Sequence, residues 1–304
     1  MRPAMLPHFA MTGAALLWAS AFVASKAAIA TIPIGELCLV RFGVGALFLW
    51  AVALVSGELR GLRRITGRAF AVGLFEPGFI TVVVYWGLAR TSATHGIVIF
   101  ALMPLATAFL GRIFLRESLN PLLFAGSFLA IGGTVVMVSG TAPGSDATLM
   151  GDAIIAFGLL AACGAILVLR RVTQAPVSPL ALTAIQMTGA TAAGLIVALA
   201  ESGATFAWVA EASPTTFAIL AYLGVLVSGV AFVFYNLGIR GIEAARVSLY
   251  IVLITPLGVP LAAIFLAEPV GWREAAAVAL VVAGVVLPFL AHFSRAARAR
   301  RAAP

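Results

Sequence analysis

The chain has 304 residues, of which 62% are hydrophobic and 10% are charged, and its formal net charge is +8. A mean hydropathy of +1.12 leaves too little polar surface to cover a water-soluble globule, so the composition excludes a soluble domain and indicates a chain embedded in lipid. The basic charge does not indicate nucleic-acid binding, because the arginines stand in short gaps between apolar blocks and form no basic patch.

Ten apolar blocks follow one another along the chain, separated by short gaps of turn-forming residues. A helix needs about 20 mainly apolar residues to cross a bilayer, so each block predicts one membrane-spanning helix. None of the gaps is long enough for a water-soluble domain. The sequence therefore predicts an all-α integral membrane protein with ten transmembrane helices. Their cores lie at residues 9–29, 34–55, 69–88, 94–115, 122–138, 153–168, 180–200, 215–237, 245–266 and 275–290.

The positions of the basic residues orient this predicted bundle. Short cytoplasmic loops of membrane proteins hold an excess of Lys and Arg. Most of the 19 Lys and Arg residues fall at 60–68, 112–116, 170–171, 240–246 and 295–301, in alternate gaps, whereas the gaps between these hold only Arg90 and Arg273. We therefore expect a multi-pass membrane protein with an even number of crossings and both termini in the cytoplasm. The first block is expected to be a retained helix, with a cleaved signal peptide as the alternative.

No motif in the sequence predicts a cofactor or a metal. Cys38 and Cys163 lie within apolar blocks and form no CxxC pair, so neither a disulfide framework nor a metal site is indicated. A phosphate-binding loop of the form G-x-x-x-x-G-K-[ST] is absent from the sequence, so ATP-driven pumping by this chain alone is not indicated.

Residues 85–133 and 235–284 share one pattern. Each stretch begins with an aromatic residue, has an arginine five positions later, places a proline inside an apolar helix and reaches a glutamate near the helix end. Internal repetition of this kind indicates a duplicated architecture. The matching pairs are Arg90 and Arg240, Pro104 and Pro256, and Glu117 and Glu268.

The boundary between the two repeats is predicted in the loop at 140–146. It divides the chain into a first five-helix repeat at 1–143 and a second at 144–304, within one integrated bundle. Because five is an odd number, the second repeat must cross the membrane in the opposite direction. Inverted repeats underlie alternating access in many secondary transporters. A transporter is therefore favoured over a channel or an intramembrane enzyme, since neither a filter motif nor a catalytic constellation is present.

Several short motifs in this duplicated frame resemble those of the drug/metabolite transporter superfamily, in particular its ten-helix EamA-type exporters. The segment LLWASAFVASK at residues 16–26 is similar to the WG-x-x-F opening of that family, with Ala19 in place of the usual glycine. The other landmarks are Arg90-Thr91-Ser92-Ala93, the Pro104 helix followed by Arg116-Glu117, and Glu268-Pro269 followed by Trp272-Arg273.

The resemblance implies export of small metabolites across the bacterial inner membrane, through a central cavity bounded by helices 1, 3, 4, 6, 8 and 9. Amino-acid exporters, including the aromatic amino-acid exporters often called YddG, are among the members that this chain resembles. We therefore expect an amino acid with an aromatic or apolar side chain as the substrate, with drugs, nucleosides or sugar derivatives as the alternatives. The expected assembly in the bilayer is a monomer or a homodimer.

Glu76 is the sharpest candidate for a polar site within the membrane. An ionisable side chain at a helix centre costs about 2.5 to 3.5 kcal/mol and by default faces a cavity or a partner. Pro77 follows it and interrupts the hydrogen bonds of helix 3, so Glu76 either anchors a substrate or proton, or caps a local kink. Tyr85 comes nine residues later. At about 100° per residue, the two side chains share a cavity only if the kink rotates the helix.

Other ionisable groups within the predicted helices have competing interpretations. His95 begins helix 4, where it is either a candidate substrate-site residue that couples transport to pH or a structural hydrogen-bonding group near the outer surface. Lys26, Glu36 and Arg41 lie in the outer half of the first helical hairpin. A pair between Lys26 and Glu36, with the long stems of Lys26 and Arg41 reaching the surface, favours a structural role over substrate binding.

A set of aromatic and amide residues favours a cavity for apolar or aromatic substrates, since rings bind apolar groups and, through their faces, cations. Trp and Tyr at helix ends also serve as interfacial anchors, which is the alternative for Tyr85, Trp86 and Tyr235. Gln186 either bridges helices or presents its amide to the substrate. The candidate residues of this set are Trp18, Phe22, Tyr85, Trp86, Phe100, Gln186, Tyr235, Asn236 and Tyr250.

Three prolines are candidate hinges, because each removes a backbone hydrogen bond within a helix: Pro77, Pro104 and Pro256. A static kink is the alternative. At the helix ends, Glu117 and Glu268 are predicted to form local salt bridges with Arg116 and Arg273. Small residues in helix 5 (Gly126, Ala130, Gly133) and in helix 10 (Ala275, Ala279, Ala283) predict close helix packing, either within the bundle or in a dimer.

Overall fold

The computed structural model describes residues 5–58, 66–115, 121–139, 148–173, 177–241 and 250–302. These residues form helices and the turns between them, and none of them lies in a strand. The predicted boundary between the repeats, together with Arg116 and Glu117, lies outside the described residues. Within them, the predicted all-α fold is confirmed.

The helices group into ten successive segments over the described residues, in register with the ten predicted blocks. Two of the segments are interrupted, and each is treated as one helix below. The segments are α1 (Leu6–Ile29), α2 (Ile34–Ser56), α3 (Thr66–Leu88), α4 (Ala93–Phe100 and Met103–Leu115), α5 (Pro121–Val138), α6 (Leu149–Thr173), α7 (Pro179–Ser202), α8 (Pro214–Gly241), α9 (Ile254–Leu266) and α10 (Trp272–Ala302).

Length and hydropathy mark these helices as membrane spans. The helices α1, α2, α3, α7 and α8 are each long and apolar enough to cross a bilayer, and the two pieces of α4 together make a sixth span. The outward faces of the bundle carry large apolar side chains, such as Leu47 (73% exposed) and Val55 (92%) of α2 and Phe128 (77%) of α5. An apolar surface of this kind is stable against lipid and not against water. The chain is therefore a multi-pass membrane protein.

The two halves of the chain pack with a two-fold pattern. In the two halves, α1 corresponds to α6, α3 to α8 and α4 to α9. Helix α1 packs against α8 and α9, and in the same way α6 packs against α3 and α4. Three pairs, α2 with α7, α5 with α10 and α4 with α9, join a helix to its counterpart five positions on, and α3 meets α7 as α8 meets α2. This pattern is the one expected of two five-helix repeats of opposite direction in a single bundle.

Glycines let the paired helices approach one another closely. A Cβ atom added to Gly194 of α7 would lie 2.5 Å from the Leu39 nitrogen of α2, and one on Gly284 of α10 would lie 2.3 Å from the Gly126 oxygen of α5. Lipid provides no hydrophobic driving force for helix association, and small residues at the contacts permit the close van der Waals packing that takes its place. The predicted small-residue face of α5 is thus confirmed as a packing surface within the bundle.

The predicted small-residue face of α10 is wrong. Ala275, Ala279 and Ala283 are exposed, whereas Ala277 and Val281 are fully buried beside α5. The contact stripe therefore runs through residues 277, 281 and 284, which recur at helical spacing on the neighbouring face. Alanines occur on both faces of this helix, so the residue type alone does not identify the buried one.

Helix α3 is interrupted at Glu76. The stretch Leu74–Phe79 is a π-type turn, and Glu76 within it has non-helical dihedral angles of φ −128° and ψ 111°. The cause is local, because Pro77 has no N–H to donate and its ring forces the residue before it into an extended conformation. The two halves of α3 are therefore rotated relative to each other about this residue.

Helix α4 is interrupted immediately before Pro104, and the segment before α9 shows the same feature before Pro256. The pieces of α4 meet at 40° across Ala101 and Leu102. In the second repeat, the turn residue Leu253 separates the helical residues 250–252 from α9. Since Pro104 has no N–H, the carbonyl of Phe100 receives no helical hydrogen bond, which permits the bend. Hinge motion at these prolines stays a prediction.

Candidate functional site: a central cavity

A cavity of about 150 Å³ lies among the helices at the centre of the bundle. Eight of the predicted substrate residues line it. Its wall is mostly apolar, with Ala21, Val84, Met103, Phe232, Ile251 and Ile254 completing it, and Ser25 and Arg41 add polar atoms. The predicted residues that meet there are Trp18, Phe22, Glu76, Tyr85, Phe100, Gln186, Tyr235 and Asn236.

The helices that supply this wall differ in part from those that the resemblance implies. Helices α1, α3, α4 and α8 contribute as expected, and residues 251 and 254 come from the α9 segment. Among the described residues, α2 and α7 take part through Arg41 and Gln186, whereas α6 contributes no lining side chain. The expected set of helices is corrected accordingly.

The interruption of α3 brings Glu76 and Tyr85 to the same cavity. In a continuous helix, nine residues would place the two side chains on opposite faces. The extended residue at position 76 breaks that register, and both side chains line the cavity. The sequence predicted that the two side chains share a cavity only if the kink rotates the helix, and they do share it.

Aromatic rings form one continuous part of the wall. The Trp18 ring packs against Tyr235 at 5.1 Å between centroids and against Phe232 at 5.3 Å. Phe22 meets Phe100 edge to face at 5.2 Å. These geometries are favourable for ring pairs, so the wall is held in place by its own packing. Such a surface binds aliphatic or aromatic groups.

Arg41 supplies a positive charge at one end of the cavity. Its Nε donates to the Ser228 hydroxyl at 2.8 Å, and its Nη1 donates to the Tyr85 hydroxyl. That tyrosine hydroxyl is also 2.5 Å from the Ser25 hydroxyl. The guanidinium carbon lies 5.1 Å from the centre of the Phe42 ring. Arg41 is thus held by α3 and α8 directly and by α1 through Tyr85, in a cluster that we call the arginine end (Ser25, Arg41, Tyr85 and Ser228).

The predicted pair between Lys26 and Glu36 is wrong, and so is the surface position of Arg41. Lys26 donates to the carbonyl oxygens of Leu88 and Thr91, at 2.9 and 2.8 Å. Glu36 accepts from the Ser202 hydroxyl and the Trp208 indole N–H. Arg41 is only 6% exposed. Residues close in sequence find partners on other helices, because their side chains leave α1 and α2 on different faces.

An amide cluster forms the other polar end of the cavity. Asn236 Nδ2 donates to Thr183 Oγ1 at 2.8 Å and to Gln186 Oε1 at 3.0 Å, which joins α8 to α7. Gln186 therefore both bridges helices and faces the cavity. Two buried acceptors, Asn236 Oδ1 and Glu76 Oε2, have no hydrogen-bond partner among the described residues. We call Glu76, Thr183, Gln186 and Asn236 the amide end.

Three predicted substrate residues do not line the cavity. Trp86 is 38% exposed and donates its indole N–H to Glu201 at 2.7 Å, as an interfacial anchor does. Tyr250 is 2.6 Å from His8 Nδ1 through its hydroxyl. His95 is 5% exposed, and its Nδ1 lies 2.9 Å from the Asp152 carboxylate. Each side chain is engaged with a partner on another helix, away from the cavity wall.

A second group of polar residues surrounds the turn between α3 and α4. Thr91 donates to Asp152 Oδ1 at 2.6 Å, beside the His95 contact. Glu268 accepts hydrogen bonds from the backbone N–H groups of Ala93 and Thr94 at the start of α4. This carboxylate caps α4 and is not paired with Arg273, whose guanidinium lies over the Trp272 ring, so the predicted salt bridge is wrong. We call this group the turn cluster (Lys26, Thr91, Thr94, His95, Asp152 and Glu268).

Two inverted five-helix halves around a central cavity define a transporter of small molecules in the membrane. The description of the EamA-like transporter family matches residues 5–139 and again residues 150–290, and the chain belongs to that family. The repeat seen in the sequence therefore corresponds to two copies of one family unit.

Two further comparisons agree with this assignment. An uncharacterized transporter of Bacillus subtilis (strain 168), YyaM, is 25% identical over 255 residues, which span 81% of each chain. A crystal structure of another protein has the same fold, with a TM-score of 0.69 at 19% identity, and the match covers 93% of this chain and 98% of the other. The family and the name of the relative are those of transporters and not of enzymes.

Proposed function

We propose that the protein exports amino acids with apolar or aromatic side chains from the cytoplasm by alternating access. The observation that carries the proposal is the central cavity, whose middle is aromatic and whose polar groups stand at two ends. Binding sites for small molecules are typically concave and apolar, with a few polar groups that orient the ligand. An amphiphilic metabolite with one apolar group fits a cavity with an aromatic middle and polar ends.

The size of the cavity supports a small substrate. An apolar protein cavity of about 150 Å³ accommodates a benzene ring. The volume found here, about 150 Å³, therefore suits one ring or a branched aliphatic group in the conformation described. A nucleoside, a sugar derivative or a multi-ring drug requires a larger opening before it can be held.

The direction of transport is proposed from the predicted orientation of the chain. With both termini in the cytoplasm, the turn cluster faces the outside of the cell. It joins α1 and α4 of the first repeat to α6 of the second and to Glu268 after α9. These bonds favour a conformation that is closed to the outside, in which the cavity receives its substrate from the cytoplasm.

Efflux from liposomes tests this proposal. We expect reconstituted protein to move L-phenylalanine and L-leucine, and to move adenosine and glucose at least about tenfold more slowly, because only the first two present one small apolar group to the aromatic wall. Each substrate is loaded as radiolabel, and its release is compared with that from protein-free liposomes. If adenosine or glucose moves while neither amino acid does, the amino-acid proposal is wrong.

A cavity-filling substitution shows whether the flux passes through this cavity. In Ala21→Trp, an indole occupies space of about the size of the cavity, and we expect efflux to fall at least about tenfold. Ala279→Trp is the matched control, since Ala279 lies on the exposed face of α10, and it should retain efflux within about twofold. Equal efflux in both variants would place the pathway elsewhere.

A further inference from the structure

The guanidinium of Arg41 is a buried charge whose neighbours are neutral. It is 6% exposed, lines the cavity, and has hydroxyl groups and aromatic rings as partners. No described carboxylate lies within salt-bridge distance of it, and the ion pair that the structure shows joins His95 to Asp152. Arginine stays ionised in proteins, so its charge is not relieved by losing a proton. A charge of this kind is costly in a membrane interior unless it meets a counter-charge.

The free donors of Arg41 face the cavity. Its Nε and one N–H of Nη1 are occupied by Ser228 and Tyr85, whereas Nη2 makes no hydrogen bond to a described residue. The planar fork of arginine binds a carboxylate through two parallel N–H groups. Because Ser228 and Tyr85 hold the fork in one orientation, and Ser25 in turn contacts the Tyr85 hydroxyl, little entropy is lost when an anion binds to it.

The amide end offers the opposite chemistry. Glu76 Oε2 and Asn236 Oδ1 lack hydrogen-bond partners among the described residues and neither group carries a positive charge, so this end offers a carboxylate no counter-charge. Ser228 and Asn236 lie on the same helix eight residues apart, which separates the two ends by about 12 Å along the axis. The carboxylate and the amine of an α-amino acid are too close together to occupy both ends at once.

We propose that the arginine end is a receptor for a carboxylate, so that the transporter selects its substrates by an anionic head group joined to a small apolar group. This inference rests on the proposed function and names the substrate class of the same cavity. The carboxylate binds to Arg41, and the apolar group lies along Trp18, Phe22 and Phe100. An α-amino group adds little, so aromatic carboxylates without an amine are also ligands.

Binding of three related probes tests the receptor. They are 3-phenylpropanoate (carboxylate without amine), L-phenylalanine (both groups) and 2-phenylethylamine (amine without carboxylate), each titrated into purified protein in a calorimeter. We expect both carboxylates to bind at least about tenfold more tightly than the amine, since a hydrogen-bonded charge contributes about that factor. If 2-phenylethylamine binds as tightly as 3-phenylpropanoate, the receptor is not at Arg41 and the inference is overturned.

Substitutions assign that preference to Arg41. Arg41→Gln should bring the carboxylates to within about threefold of the amine, and Arg41→Lys should keep part of the preference because it keeps the charge. Arg273→Gln is the matched control, an exposed arginine that should leave the preference unchanged. A folded Arg41→Gln protein with the wild-type preference contradicts the inference. If that variant does not fold, two other measurements decide the question. One is the ratio of the binding affinities of the probes for the wild-type protein, and the other is Tyr85→Phe, which should weaken the binding of the carboxylates and not that of the amine.

Efflux of the same probes separates the inference from the proposed function. Efflux of L-phenylalanine with equal binding of all three probes keeps the export proposal and overturns the receptor. Binding that prefers carboxylates, without efflux of either carboxylate probe, keeps the receptor and overturns export. Efflux of both carboxylates, together with the expected effect of Arg41→Gln, supports both proposals.

Discussion

The polar residues of the cavity and those of the turn cluster differ in how completely they are paired. In the turn cluster, every oxygen of Asp152 and Glu268 accepts at least one hydrogen bond. In the cavity, Glu76 Oε2 and Asn236 Oδ1 accept none from a described residue. Buried polar atoms in folded proteins are nearly always paired, so these two oxygens are exceptions, and both of their residues line the cavity. The turn cluster thus satisfies its own carboxylates, whereas the cavity leaves buried oxygens unpaired, as the proposed binding of a substrate there requires.

The largest expected effect comes from breaking the turn cluster. Asp152→Ala removes the partner of His95 and Thr91, and loss of one member of a buried pair costs about 3 to 5 kcal/mol. We expect a clear fall in the melting temperature of the protein in detergent. Glu211→Ala, at an exposed position between α7 and α8, should leave it unchanged. If the two variants melt together, the turn cluster does not stabilise this conformation.

A smaller effect on stability, with a distinct effect on transport, is expected at Glu76. Glu76→Gln replaces a carboxylate that has an unpaired oxygen with an amide of the same shape, so stability should change by no more than about 1 kcal/mol. The amide does not bind or release a proton, so efflux that depends on pH in the wild type should become independent of it.

Two outcomes would contradict the assignment of proton coupling to Glu76. One is a Glu76→Gln variant with the pH profile of the wild type. The other is loss of that profile in His95→Gln alone, which would move coupling to the turn cluster. Glu211→Gln, measured beside them, controls for the loss of an acidic residue outside the cavity.

The smallest effect is expected for Tyr250→Phe. The substitution removes one hydrogen bond, to His8, from a residue that does not line the cavity. A single hydrogen bond contributes about 0.5 to 1.5 kcal/mol. Efflux of L-phenylalanine should stay within about twofold of the wild type, measured in the same liposome assay. A loss as large as that expected for Ala21→Trp would show that Tyr250 belongs to the transport pathway after all.

The course of the chain through the membrane could be predicted from the sequence because it depends on local properties. Apolar block length predicts the spans, and the spacing of Pro104 and Pro256 in the repeat predicts where the fourth and ninth segments break. Even the meeting of Glu76 with Tyr85 followed from one local event, the effect of a proline on the residue before it.

The partners of charged residues could not be predicted in this way. Glu36 was the nearest acid to Lys26 in the sequence, yet Lys26 bonds to backbone carbonyls and not to Glu36. Arg41, on the same hairpin, bonds to Tyr85 and Ser228, which lie 44 and 187 positions away in the sequence. Which face of α2 meets α3 and α8 depends on the packing of all ten helices. Similarly, nothing in the residue type distinguishes Tyr85, which lines the cavity, from Trp86, which lies on the exposed surface.

The extended residue within α3 separates the two chemical ends of the cavity mechanically. Tyr85, which holds Arg41, lies beyond it on one half of the helix, and Glu76 itself stands at the joint. The Ile80 N–H donates to the Phe75 carbonyl across this residue, so the hinge motion predicted at Pro77 would have to break that bond. Such a motion would move Tyr85, and with it the contact to Arg41, relative to Glu76.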